Sequence, residues 1–237
     1  MLPLAYDSAR EIAKFRGEVA ALINEGKSSE EIVGYIQERL GIGEKEARSI
    51  YTYILEEYLF TDGVVPSDNV YMVEIYDEPE GSRTFIYHIL VGRRTLDALS
   101  RAFANKIAED LNVDVKITLS DNGFALTIPE RIDYDPKRPF YEIKPEGLHD
   151  ILKEVILRTE MLKRRFRHVA ERSFMVLRKY RGKEKSLERR QLSSESLLEV
   201  VKKIENFPVL KETIREILED YMDIHKAEET LRRVQSG

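Results

Sequence analysis

The residues best placed to do chemistry are the cations of residues 153–190. Lys153, Arg158, Lys163, Arg164, Arg165, Arg167, Arg172, Arg178, Lys179, Arg181, Lys183, Lys185, Arg189 and Arg190 number fourteen. Only Glu154, Glu160, Glu171, Glu184 and Glu188 oppose them, leaving a local excess of nine positive charges in a chain whose net charge is −5. At about 100° per residue, Leu162, Phe166, Val169, Ala170, Ser173 and Leu177 fall on one helical face. Arg164, Arg167, His168, Arg172 and Arg178 then occupy the opposite half as a ridge, which a loop at residues 179–185 extends, offering Tyr180 as a ring for stacking. Such a surface suits phosphates, because each neutralised phosphate releases counterions, and Tyr or Arg planes accept unpaired bases without sequence preference. Arg164, Arg165, Arg167, Arg172, Arg178 and Arg181 are the candidates for phosphate contact, with Arg93 and Arg94 as a second, smaller cluster beside Arg101 and Lys106. The competing readings are an ion-paired solvent face or an interface with an acidic partner domain and, for the second cluster, pairing with Asp97, Glu109 and Asp110.

Other chemistry is poorly supported. Gly26-Lys27-Ser28 ends like a P-loop, but that motif needs a glycine where Ala21 stands and a preceding strand where the pattern is helical. It reads instead as one helix stop followed by the next helix cap. His88, His149, His168 and His225 lie in four separate elements without ligand spacing, so no metal site is expected. Cysteine is absent, which removes disulfides and thiolate chemistry. No serine, lysine or carboxylate motif organises a catalytic centre, and no cofactor is expected in this chain.

The elements that must position the ridge are legible from periodicity. Residues 7–25, the stretch after Ser28, and residues 44–58 predict three helices, with Ser28 and Glu31 as a capping box and Gly41 as a stop. Tyr71, Val73 and Ile75 alternate, turn chemistry follows at residues 77–81, and residues 84–91 supply a partner strand. A helix through Leu96, Leu99, Phe103 and Ile107 leads to strands at 113–119 and 124–128, with Asn122-Gly123 predicting a type I′ hairpin turn. Residues 130–145, with Pro136, Pro139 and Pro145, predict an irregular crossing, and the remainder is helical. In that remainder the Phe166 stripe predicts a helix running to Leu177, Ser193 to Ser196 a cap, Phe207-Pro208 a helix start, and Asp223 the cap of the last helix. The expected class is α+β: an N-terminal three-helix segment (1–62), a β-β-α-β-β sheet unit (63–145) and a C-terminal helical array (146–237). Apolar residues make up 42% of the 237, enough for a real core, and no apolar run reaches the roughly 20 residues of a membrane span. Without a signal-peptide pattern the chain is expected to be soluble and cytoplasmic. Its 34% charged residues suit a thermophile.

Several ordered blocks resemble one family. Residues 87–101, Tyr-His-Ile-Leu-Val-Gly-Arg-Arg-Thr-Leu-Asp-Ala-Leu-Ser-Arg, and Ser120-Asp121-Asn122-Gly123-Phe124 are similar to the DEAD/H-associated region of the large helicase-related (Lhr) proteins. Arg165-Phe166-Arg167, residues 177–182, Arg190-Gln191, Phe207-Pro208, residues 212–216 and Asp223 fit in order and spacing. The resemblance runs from about Leu4 to the end, and the chain's lack of Trp is more like the archaeal members. It implies a fragment of a 3′→5′ ATP-dependent helicase associated with DNA repair. Two RecA-like domains and a winged helix would precede this chain, ATP and Mg would bind in those motor domains, and this part would help enclose single-stranded DNA or RNA. Two rivals are a winged-helix-like DNA-binding regulator, since three helices precede a hairpin, and a protein-interaction scaffold whose arginines meet acidic surfaces.

Overall fold

A computed structural model describes residues 4–236, apart from the side chain of Tyr180. The first three helices are α1 (Tyr6–Asn24), α2 (Ser29–Leu40) and α3 (Glu44–Phe60). Their apolar stripes meet in a small core of Val19, Ile32, Val33, Ile36, Ala47 and Ile54, closed by Val65. Ser28 caps α2: its hydroxyl accepts the Glu31 N–H at 3.3 Å, and the Glu31 carboxylate accepts the Ser28 N–H at 2.9 Å. That reciprocal box satisfies two orphan amides and uses the hydroxyl that a P-loop would direct to a metal ion. Arg16 ties α1 to α3 through a pair with Glu57.

Strands β1 (Met72–Asp77), β2 (Arg83–His88), β3 (Lys116–Leu119) and β4 (Gly123–Ile128) form one antiparallel sheet in the order β1-β2-β4-β3. The β1–β2 hairpin is therefore half of a sheet and not a wing on the three helices. Alternation directs Phe85 and Tyr87 of β2, and Phe124, Leu126 and Ile128 of β4, to one buried face. On that face lies α4 (Arg93–Leu111), presenting Leu96, Leu99, Phe103 and Ile107. Tyr87 stacks on Phe124 at 4.7 Å between ring centroids, and Phe103 meets Phe140 edge-on at 4.8 Å. The buried Tyr87 hydroxyl donates to the Pro136 carbonyl at 2.8 Å, which satisfies the one polar atom of an otherwise apolar ring. Burial, reinforced by Tyr134 and Asp135, pushes its ionisation far above the ordinary range.

The β3–β4 turn differs from its sequence signature. Its two loop residues are Asp121 and Asn122, neither with positive φ, while Ser120 donates its N–H to the Gly123 carbonyl at 2.9 Å. Gly123 belongs to β4, with φ +157°, opposite His88 of β2. A Cβ there would stand 1.9 Å from the Tyr87 carbonyl oxygen, so close strand approach, rather than an I′ turn, requires this glycine.

The proline-rich crossing contains a short helix, α5 (Arg138–Glu142), and a 3₁₀ turn, Pro145–Gly147. Pro139 sits in the first turn of α5, where a missing N–H costs nothing, so proline there begins a helix. Helices α6 (Leu148–Ile156) and α7 (Glu160–Arg172) follow, then a two-stranded hairpin of β5 (Lys179–Tyr180) and β6 (Lys183–Glu184). After it come α8 (Leu187–Val201), α9 (Pro208–Arg215), a π-helical turn (Glu216–Tyr221) and α10 (Ile224–Ser236). Sheet, α4 and these helices share one continuous core. Gln235 of α10 closes it by donating to the Phe140 and Ile143 carbonyls, each at 2.8 Å.

Strands β2 and β3 are shorter than the sequence pattern, ending at His88 and starting at Lys116, and three features of the C-terminal region depart from it as well. Helix α7 stops at Arg172, because Phe174 turns left-handed (φ +59°) and the Met175 and Val176 amides both return to the Ala170 carbonyl, at 2.9 and 3.1 Å. Val176, not Leu177, is thereby buried. Ser186 caps α8, its hydroxyl accepting the Arg189 N–H at 3.4 Å, and the serines at 193, 194 and 196 lie mid-helix. Residues 179–185 form a hairpin with Arg181 and Gly182 at φ +49° and +78°, as a two-residue I′-type turn demands. Phe207-Pro208 does open α9, and Asp223 caps α10 by accepting the Lys226 N–H at 3.3 Å.

Replacing Gly123 with Ala is expected to destabilise the fold by roughly 2–4 kcal/mol, because the β2 backbone has to move to admit the methyl group. Denaturant unfolding of the two proteins measures it; equal midpoints contradict the close-approach account.

Candidate nucleic-acid interface

Helix α7 is held by Leu162, Phe166, Val169 and Ala170, all buried, with α8 packed on one flank and α9 on the other. This fixes which arginines can look outward. On the α8 side, the buried carboxylate of Glu171 accepts Arg178 Nε at 2.8 Å and Arg190 Nη1 at 3.0 Å. On the α9 side, the buried Glu216 of the π-helical turn pairs with both Arg165 and Arg172. Arg165 also donates to the Tyr221 hydroxyl at 2.9 Å, and its guanidinium lies 4.8 Å over the Tyr221 ring. Arg164 and Arg167 have no side-chain hydrogen-bond or ion-pair partner among the described residues. Arg164 is exposed and Arg167 half-buried.

The nominated residues thus fall into distinct environments. Arg164 and Arg167 are unengaged among the described residues. Arg172 and Arg178 are exposed but each held by one carboxylate, and Arg178 belongs to the strap after α7 rather than to the helix itself. Arg165 is half-buried between two elements. Arg181 is exposed at the tip of the β5–β6 turn, and the side chain of Tyr180 lies outside the described residues. Lys179 and Lys183 flank that tip and are exposed. His168 is exposed on α7, where burial first and then the Arg167 charge lower its pKa below the usual 6.5.

The second cluster is more committed to structure. Arg101 pairs with Asp97 at 2.8 Å, and Lys106 pairs with Asp110 at 2.6 Å and with Glu142 at 2.8 Å, while Glu109 instead accepts from Asn105. Arg93 remains exposed, 3.4 Å from Asp121. Arg94 donates to the Glu219 carbonyl at 2.5 Å. The π-helical turn therefore binds Arg94 through Glu219 and the α7 arginines through Glu216, bringing the two clusters to a common element. Among the described residues, no group of three or more His, Asp or Glu side chains is placed to hold a metal ion.

Sequence reasoning missed the two carboxylates. Glu171 counted only as an opposing charge, although its place on α7 and the turn at Phe174 bury it. Glu216 lies 51 residues from Arg165, so no local pattern pairs them. Burial alone raises the Glu171 pKa, but the Arg178 hydrogen bond and the charges of Arg190 and Arg178 outweigh it, leaving the carboxyl below its ordinary 4.5.

Residues 65–237 match the family described as DEAD/H associated. The chain is 56% identical to an ATP-dependent helicase Lhr-Core of Saccharolobus solfataricus and 41% identical to that of Methanothermobacter thermautotrophicus, with all of this chain and 27% of each relative covered. It thus spans about a quarter of the length of these relatives. The solved Mycobacterium smegmatis helicase Lhr, bound to ssDNA and AMP-PNP, superposes with a TM-score of 0.83 at 22% identity, over 99% of this chain and 29% of that one. At that identity the likeness speaks for the fold.

The depressed Glu171 pKa sets a direction for acid stability. Its contribution is complete above the unfolded value of 4.5 and is lost as pH falls through the lower folded value. The thermal midpoint of Glu171→Gln should lie below that of the parent at about pH 7, with the gap narrowing as pH falls below 4.5. A gap independent of pH would contradict the assignment.

Proposed function

This chain belongs to the DEAD/H-associated family, and on that premise we propose that it is the accessory C-terminal part of an Lhr-type, ATP-dependent 3′→5′ helicase. It guides single-stranded nucleic acid while ATP and Mg act in motor domains elsewhere in the polypeptide. The observation that carries this reading is the outward face of α7. Arg164 and Arg167 lack carboxylate partners there among the described residues, and the exposed Arg172 and Arg178 flank them. The first two stay unneutralised although the overall charge of the chain is negative. A polyanion running along that face supplies the missing counter-charge.

The strand bound to the Mycobacterium smegmatis relative is single-stranded DNA, which supports the same class of ligand here. RecA-like and winged-helix domains of the same polypeptide are the expected neighbours, and DNA repair in the cytoplasm is the expected setting. Arg93 and Arg94 serve as secondary contacts, Arg94 through its link to the π-helical turn. Tyr180, whose side chain lies outside the described residues, is the remaining candidate for base stacking.

Charge reversal of Arg164 and Arg167 to Glu in the full-length protein should weaken binding of a single-stranded oligonucleotide about tenfold or more. It should also flatten the dependence of log K on log salt by about 0.7 for each phosphate that is no longer neutralised. Unchanged affinity and slope would remove α7 from the strand path.

A further inference from the structure

The two carboxylates beside α7 share an asymmetric design. Glu171 and Glu216 keep only 3% and 5% side-chain exposure, and each bridges two arginines of unequal burial. The inner partners, Arg190 and Arg165, are each 19% exposed, whereas the outer partners, Arg178 and Arg172, are 64% and 56% exposed. A buried carboxylate needs close cations to offset its desolvation, and at Glu171 both arginines contribute, although only the inner one is itself enclosed. The outer arginine nevertheless stays exposed and presents donors to solvent. Arg178 engages Glu171 through Nε at 2.8 Å, and neither of its terminal nitrogens has a hydrogen-bond partner among the described residues. Arg172 engages Glu216 through Nη2 alone.

We propose that Glu171 and Glu216 are positioning residues that hold Arg178 and Arg172 as preset, bidentate receivers for the phosphodiester backbone of a single strand. The proposal rests on the strand-binding reading of α7 and adds how that surface achieves its geometry. Held at one edge, a guanidinium has already lost much of its rotamer freedom, so less entropy is lost when its remaining donors meet a phosphate. The two receivers follow Arg164 and Arg167 in the chain, one paired with the carboxylate that binds Arg190 of α8 and the other with the carboxylate of the turn that follows α9.

Positioning and plain electrostatics predict opposite signs. Removing a carboxylate beside a polyanion should tighten binding if charge alone matters; it should weaken binding if the carboxylate orients the contact. The experiment measures binding of a fluorescent oligothymidylate single strand to the full-length protein across a salt series. The proteins compared are the parent, Glu171→Gln, Arg178→Ala, their double variant, and Arg178→Lys; Glu216→Gln and Arg172→Ala make the parallel set. Glu171→Gln is expected to weaken binding about three- to tenfold in the parent and to have no further effect on Arg178→Ala, the mark of coupled residues. Arg178→Lys lies on the surface and keeps its charge, so it tests the fork without endangering the fold. It should lose affinity while retaining the parent's salt slope. Equal or tighter binding by Glu171→Gln, or full binding by Arg178→Lys, overturns the positioning role while leaving the strand-binding reading intact. If Arg172→Ala, Arg178→Ala and the Arg164/Arg167 reversal all bind as the parent does, the strand-binding reading itself falls.

Discussion

A carboxylate cannot be buried alone. Glu171 and Glu216 lie at the two seams where α7 meets α8 and α9, and both seams close only because arginines arrive with them. This constraint orders the C-terminal half of the molecule. It brings Arg190 of α8 to α7, seats the π-helical turn against Arg165, and pulls the strap after α7 inward through Arg178. The same pairs decide which cations remain outward, so the packing of the helices and the charge of the surface are one arrangement.

The turn that carries Glu216 also reaches the sheet unit. Its Glu219 carbonyl takes a hydrogen bond from Arg94 at the start of α4, the helix that covers the buried face of the sheet. Beneath α4, the rings of Tyr87, Phe103, Phe124 and Phe140 form a contiguous aromatic group. Their edge-on and stacked contacts define one arrangement of the strands. The cationic face of α7 is therefore mounted on the same core as the sheet and α4, whereas the three N-terminal helices possess a small core of their own.

Much of the architecture is legible in the chain alone. The capping box at Ser28, the β-β-α-β-β order, the start of α9 at Pro208 and the Asp223 cap are local patterns, and local hydrogen bonding and side-chain spacing determine them. The departures are local patterns that tertiary contacts override. Asn122-Gly123 carries a turn signature, yet the approach of β2 claims its glycine. The Phe166 stripe continues in register to Leu177, but the left-handed Phe174 ends the helix and buries Val176 instead. Serines at 193, 194 and 196 suggest a cap, while Ser186, which follows the hairpin, is the residue that caps α8.

The ridge shows the same division. The sequence by itself determined that residues 153–190 hold a large cationic excess and that Phe166 marks the inward face of α7, because composition and a 3.6-residue repeat are properties of the chain alone. Only the tertiary structure decided that Arg165 is absorbed between elements, that Arg172 and Arg178 are held yet exposed, and that Arg164 and Arg167 remain unengaged among the described residues. The physical reason is that an arginine's role depends on which carboxylate reaches it. Arg165 and Glu216 are 51 residues apart and Arg94 and Glu219 are 125 apart, separations that only packing can close.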